Sequence, residues 1–168
     1  MSDGTDILII DPTFSPADEF QAEQNGWYYI NADSREASTL LSAGLYKAKG
    51  MVITCGDDTV NLEVLELSQQ LFDKVNHANP FTFLLELTSA QLSESIADQF
   101  ISNKLHENIE LFTFSRPDLT TREFVWNIQL AEYARFRNQD HIHLIFIGYD
   151  EYAEAVIDKL VCASIISG

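Results

Sequence analysis

Short apolar runs alternate with longer amphipathic stretches along the chain, and that alternation predicts strands separated by helices. Ile7-Leu8-Ile9-Ile10 is a continuous apolar run stopped by Asp11-Pro12. Ser15 and Pro16 read as the N-cap and first turn of a helix that ends near Asn25-Gly26. Trp27 to Ile30 reads as a second strand, and Ser34 to Ala43 as a short helix that Gly44 stops in the left-handed conformation. Met51 to Thr54 is a third strand, which Gly56-Asp57-Asp58 turns into a long helix marked by Leu62, Leu65, Leu67 and Leu71. Phe81 to Leu87 is a fourth strand, followed by a helix over about 89–103. Ile109 to Phe114 is a fifth strand, and Arg116-Pro117-Asp118 opens a helix reaching about Arg137. Ile142 to Ile147 is the sixth and most apolar strand, and Gly148 turns it into a last helix from Glu151 to about Ile165. Strands that are apolar on both faces and separated by helices indicate a parallel sheet covered on both sides. Right-handed crossovers then favour a doubly wound, mainly parallel six-stranded sheet in a three-layer sandwich.

The chain has 168 residues, about the size of one domain or of a domain with a short appendage. A hydrophobic fraction of 46% is enough for a packed core and speaks against disorder. Ten Lys and Arg against 26 Asp and Glu leave a formal net charge of −16. That balance excludes a general phosphate-backbone binder, so no nucleic-acid partner is expected, and it disfavours docking on an anionic membrane. No apolar run is long enough for direct membrane insertion, and MSDGTD is no secretory signal. Cys55 and Cys162 stand far apart without a CxxC pair, as suits a reducing, cytoplasmic location.

Four pieces between Ile7 and Leu71 carry a resemblance. They are Ile9-Ile10-Asp11, a strand ending in an acid; Asn31-Ala32-Asp33; Leu41-Ser42-Ala43-Gly44-Leu45-Tyr46-Lys47-Ala48; and Thr54-Cys55-Gly56-Asp57-Asp58-Thr59-Val60-Asn61-Leu62. In this order and spacing the chain resembles the regulator-of-K⁺-conductance family, also called RCK or TrkA-N domains. The resemblance implies a Rossmann-like α/β fold and a regulatory role in potassium channels or transporters. It also implies that the chain begins one strand late. The missing first strand and helix resemble His141 to Gly148 and the last helix, at the C-terminal end. Residues 1–140 then read as an RCK-like domain lacking its first strand. Residues 141–168 either complete the sheet, within the chain or in a partner, or open a next repeat. Ending at Ser167-Gly168 just after a helix favours a piece of a longer protein.

The same resemblance nominates site residues, each with a structural alternative. Gly148 opens the turn that would cradle a pyrophosphate at a helix N-terminus, yet Asp150 stands at the second glycine position and Glu151 adds a negative charge beside it; those carboxylates cap a helix and repel phosphate. Asp11 would hold an adenosine ribose, or simply close an Asx-Pro turn. Asp33 would lie near adenine, or cap the next helix. Thr54, Asp57 and Asn61 would line the nucleotide passage, or cap and tie the turn. His141 and His143 share a strand face but make only half a metal site, so no metal is expected. His77 and His106 read as solvated, and Cys55 as a small buried residue with redox sensing the alternative. Phe124, Trp126, Leu130, Tyr133 and Phe136 give one helix more aromatic surface than a single face needs, which suggests an interface. With no candidate proton donor, the expectation is a non-enzymatic regulatory or assembly domain of a potassium-transport or ion-channel regulator, degenerate in nucleotide binding. The alternative is a functional sensor of NAD(H) or an adenine nucleotide. The expected partners are a second copy or a neighbouring RCK repeat, and a membrane channel or transporter subunit.

Overall fold

The computed structural model describes residues 6–75, 79–88, 92, 93, 95, 96, 98, 108–128, 130–139 and 144–166. The elements are β1 (Leu8–Ile10), α1 (Pro16–Asn25), β2 (Tyr28–Ile30), α2 (Ala37–Ser42), a 3₁₀ turn (Leu45–Lys47), β3 (Gly50–Ile53), α3 (Asp58–Val75), β4 (Phe81–Glu86), β5 (Ile109–Phe114), α4 (Arg116–Ile128), α5 (Leu130–Phe136) and α6 (Glu151–Ile166). They form two compact units, Met1–Glu86 with Glu94–Thr113, and Leu87–Ser93 with Phe114–Gly168.

In the first unit local chemistry sets the element ends. Ser15 and Asp18 form a reciprocal capping box at the start of α1, with Ser15 N donating to Asp18 Oδ2 at 2.9 Å and Asp18 N to Ser15 Oγ at 3.3 Å. Gly44, at φ +79°, stops α2 as the sequence predicts. β1 pairs in parallel with β2, Leu8 opposite Tyr28 and Ile10 opposite Ile30. β3 pairs in parallel with β4, Gly50 opposite Thr82 and Ile53 opposite Leu85. A Cβ on Gly50 would stand 2.9 Å from the Thr82 carbonyl oxygen, so this close approach needs glycine. β5 follows β4, and bonds from Phe81 N to the Asn108 oxygen and from Leu87 N to the Phe114 oxygen advance together, as parallel strands require.

The core lies between α3 and one face of the β3–β4–β5 sheet. Phe81 and Phe83 are fully buried against Phe72, with ring centroids 4.7 Å apart for Phe72–Phe81 and 4.8 Å for Phe81–Phe83, and Leu85 is fully buried on the same strand. Each large apolar side chain so buried stabilises the fold by about 1.5–3 kcal/mol. The buried stripe of α3 is Asn61, Val64, Leu65, Ser68, Leu71 and Phe72, a helical repeat that includes two polar residues. Leu62 and Leu67, expected on that stripe, are only half-buried at its margin.

Two expectations are corrected. The sheet is not six-stranded: the described residues form a pair, β1–β2, and a triplet, β3–β4–β5. Leu144 to Ile147 forms no strand, and all four side chains are exposed. The physical reason is common to both. A strand exists only where neighbours take its backbone donors and acceptors, and among the described residues this segment has none. Ile142 lies outside the described residues, as does most of the helix expected over 89–103. The helix expected to run from Arg116 to about Arg137 is found as α4 and α5, on either side of residue 129.

In the second unit α4 packs against α6. Asp118 joins them: its carboxylate lies 2.6 Å from Lys159 Nζ on α6 and 3.2 Å from Arg122 Nη2 one turn on. The Lys159 ammonium holds the Asp118 carboxyl below the usual carboxylate range.

Candidate functional site

In open α/β sheets ligands bind beyond the carboxyl ends of the strands, where the strand order reverses. Here the carboxyl ends of β1, β2 and β3 are followed by the acids the sequence nominates. Asp11 leaves β1 with its N–H bonded to the Ile30 oxygen, at 3.2 Å. Its Oδ1 accepts from both Thr13 N and Thr13 Oγ1, each at 2.7 Å, so the Asx turn expected at Asp11-Pro12 is formed. Among the described residues its Oδ2 accepts no hydrogen bond. Beside it Ile9, Phe14, Ala22 and Trp27 line a cleft of about 290 Å³. Phe14 stacks on Tyr29 with ring centroids 5.2 Å apart, which fixes one wall of that cleft.

Asp33, after β2, does not cap α2, whose N-cap position is Glu36. Its two oxygens grip Arg35 instead: Nε lies at 3.0 Å from Oδ1, Nη2 at 2.7 Å from Oδ2, and the Arg35 N–H at 2.8 Å from Oδ1. Hydrogen bonds from the Arg35 side chain, then its backbone, hold the Asp33 carboxyl at about 2. Arg35 also reaches Glu63 on α3, at 3.7 Å. Arg35 was not singled out from sequence, although the Asp-x-Arg spacing that permits the pair was visible.

The β3-to-α3 passage is held by side-chain hydrogen bonds. Asp57 Oδ1 accepts from Val60 N at 3.0 Å and so caps α3. Asn61, 1% exposed, accepts from Cys55 N at 2.7 Å through Oδ1 and donates through Nδ2 to the Glu86 oxygen at 3.0 Å. One side chain thus bolts the ends of β3 and β4 to α3, the tying role expected of it. Thr54 and Cys55 are exposed, which corrects the expectation of a buried Cys55: it stands past the end of β3, where none of the described helices covers it, and its Sγ lies 3.9 Å from Ser34 Oγ. The structure therefore brings Asp11, Asp33, Thr54 and Asp57 to the strand ends of one unit.

Gly148 belongs to the other unit. It adopts φ +93°, and Asp150 Oδ1 accepts from Ala153 N at 2.9 Å, capping α6. A carboxylate thus occupies the helix N-terminus where a phosphate would be received. Each unit thus carries one of the nominated features by itself: Asp11 keeps a free acceptor oxygen in the first, and the Gly148 turn carries the Asp150 carboxylate in the second. His141 and His143 lie outside the described residues, as do His77 and His106. Among the described residues, no group of three or more His, Cys, Asp or Glu is placed to hold a metal ion, and no helix is long and apolar enough to cross a membrane. Phe124, Tyr133 and Phe136 are exposed on α4 and α5; the Trp126 side chain is outside the described residues.

Parallel strands alternating with helices, and acids at the strand ends, define a Rossmann-like α/β unit. More particularly, residues 1–79 match the family model of the TrkA-N domain. No curated protein and no solved structure matches the chain.

Proposed function

We propose that the protein is a non-catalytic regulatory and assembly domain of a potassium-transport or ion-channel regulator, with its nucleotide site degenerate. The TrkA-N match supports the regulatory class. The observation that supports degeneracy is the Asp150 carboxylate on the Ala153 amide, a negative group at the helix N-terminus that the resemblance would assign to phosphate. Asp33, locked to Arg35, has no acceptor to spare for an adenine. Exposed Phe124, Tyr133 and Phe136 support assembly, since large aromatic side chains in solvent favour burial against a partner. The partner on this reading is a second copy or a neighbouring RCK repeat, coupled to a membrane channel or transporter subunit.

A second reading, a working sensor of NAD(H) or an adenine nucleotide, is favoured by the free Asp11 oxygen beside the aromatic cleft. A thermal-shift titration with NAD⁺, NADH, ATP, ADP and AMP separates the two. A ligand at about 100 times its dissociation constant adds about 2.7 kcal/mol to stability, a rise of several degrees in the midpoint. Degeneracy expects no saturable shift with any of the five. A saturable shift that Asp11→Ala abolishes would overturn it in favour of the sensor.

A further inference from the structure

The doubly wound sheet has the strand order 3-2-1-4-5-6. The described strands run β2–β1 and β3–β4–β5, all parallel within their sheets, which is that order with the first position vacant. The vacancy is bounded by one edge of β1 and one of β3. Along a strand, successive residues turn their backbone groups to opposite edges. Ile7 accepts from Tyr28, and Asp11 donates to Ile30, so the N–H and C=O of Leu8 and Ile10 face away from β2. Lys49 accepts from Thr82, so those of Gly50 and Val52 face away from β4. Two open edges of parallel strands are expensive for an isolated fold, because parallel sheets are interior structures.

One face of the triplet is open too. Gly50 lies opposite Thr82, bonded one residue back at Lys49; by the same rule Phe81, bonded to Asn108, lies opposite Ile109 and Leu84 opposite Phe112. Val52, Leu84 and Phe112 therefore form one apolar row, 59%, 39% and 54% exposed. The vacancy thus lacks a strand and the helix that would come after it.

The chain carries such a unit. Leu144 to Ile147 is apolar throughout, pairs with no strand among the described residues, and matches β1 and β3 in length. Ile145 is 89% and Ile147 98% exposed, values otherwise foreign to a run of this composition. A left-handed Gly148 and the helix α6 come next, the order strand, turn, helix that the vacant position needs. We propose that Leu144–Ile147 of a second copy of this chain inserts between β1 and β3, and that the two copies exchange these strands reciprocally. Among the described residues neither edge, nor the segment, has a strand paired to it. A two-fold exchange satisfies all of them with one kind of contact. The exchange is independent of whether a nucleotide binds.

The test uses the full chain, with sedimentation velocity for mass and hydrogen exchange for the segment. The expected result is a dimer in which the Leu144–Ile147 amides exchange about tenfold or more slowly than in the chain diluted to monomer. Ile145→Pro removes the inserting strand, and Val52→Pro removes a donor from the receiving edge. Each variant alone is expected to be monomeric, and an equal mixture to form a heterodimer, one chain lending its strand and the other its gap. Loss of dimer on dilution with unchanged amide exchange would overturn the proposal, as would a dimer that survives Ile145→Pro. A wild-type monomer would also overturn it, whether its segment amides are protected, which assigns the strand to its own sheet, or unprotected. The exchange measurement on the wild type decides the matter even where a proline variant fails to fold.

Discussion

The chain contains two strand-to-helix passages with nearly the same local chemistry and opposite outcomes. At the first, Met51-Val52-Ile53 leads through Gly56, at φ +80°, to Asp57, which caps α3. At the second, Leu144 to Ile147 leads through Gly148, at φ +93°, to Asp150, which caps α6. Both glycines hold a conformation that other residues rarely adopt, and both acids bond the backbone three residues on. Yet Ile53 is 2% exposed and Ile147 98%. What differs lies outside the passage. β3 has β4 beside it, α3 above it and Asn61 bolting the ends together, whereas among the described residues the second passage has neither neighbour nor bolt. Turns and caps are local and form alone; a strand is a relation between segments.

The sharpest way to break the comparison is to remove what the second passage lacks. Phe83→Ala empties the space between β4 and α3, where Phe72, Phe81 and Phe83 meet. The expected loss is about 3–5 kcal/mol, read from urea denaturation with an unchanged m-value. Ile147→Ala measured on the monomer at high dilution is expected to stay within about 0.5 kcal/mol of wild type, as for any exposed site. Equal losses at the two positions would mean that the second passage is buried in a single chain after all.

Asn61→Ala comes next, because it leaves the fold's neighbours in place and removes only the bolt. The Glu86 carbonyl loses its donor in a buried place and Cys55 N its acceptor. The expected cost is about 1–3 kcal/mol. Amide exchange should quicken at Cys55 before it does at Phe83. A variant as stable as wild type would show that the β3 passage is held by packing alone.

The caps should then behave alike, since they are the part the two passages share. Asp57→Ala and Asp150→Ala are each expected to cost about 1 kcal/mol of local helix stability, visible as faster exchange in the first turn of α3 and of α6. A large loss for Asp57 with none for Asp150 would show the second helix start to be set by something other than its cap.

This division explains what could be read from the residues beforehand. The ends of α1, the stop of α2 at Gly44, the turn at Gly56 and the tie at Asn61 depend on contacts within a few residues, or on one side chain of evident purpose, and they lie where the sequence puts them. The five observed strands agree with their apolar runs to within a residue or two. The sixth run is the most apolar, yet its described residues, Leu144 to Ile147, form no strand, because composition records a wish for burial and not the presence of a neighbour. Site residues obey the same rule. Asp57 and Asn61 hold the turn as expected, whereas Asp33 bonds Arg35 instead of capping α2. A guanidinium two residues away, with five donors in a planar fork, outcompetes backbone amides for a carboxylate. The polar members of the α3 stripe, Asn61 and Ser68, were invisible to a count of leucines because each is buried by satisfying its own hydrogen bonds, Ser68 through the Val64 oxygen at 2.8 Å.

The smallest effect tests how the first unit's two sheets are joined. Arg35, after β2, bonds Asp33 and also reaches Glu63 on the helix after β3, so the ion pair spans from the pair of strands to the triplet. The Asp33 carboxyl is held at about 2 against an ordinary 3.8. A depressed folded value means that the pair's contribution is fully present above the unfolded value and is lost as pH falls through the folded one. The window therefore lies between about 4 and about 2. The pair is solvent-exposed and screened, so its effect ranks below the caps. Asp33→Asn should be less stable than wild type near neutrality, and the two should converge across that window. Added salt should narrow the gap at neutral pH in the same direction. Denaturation of both proteins through the acid range reads this directly. A difference that persists unchanged at the acid end would mean that Asp33 acts through its geometry rather than its charge, and that the two sheets are joined by packing between α2 and α3.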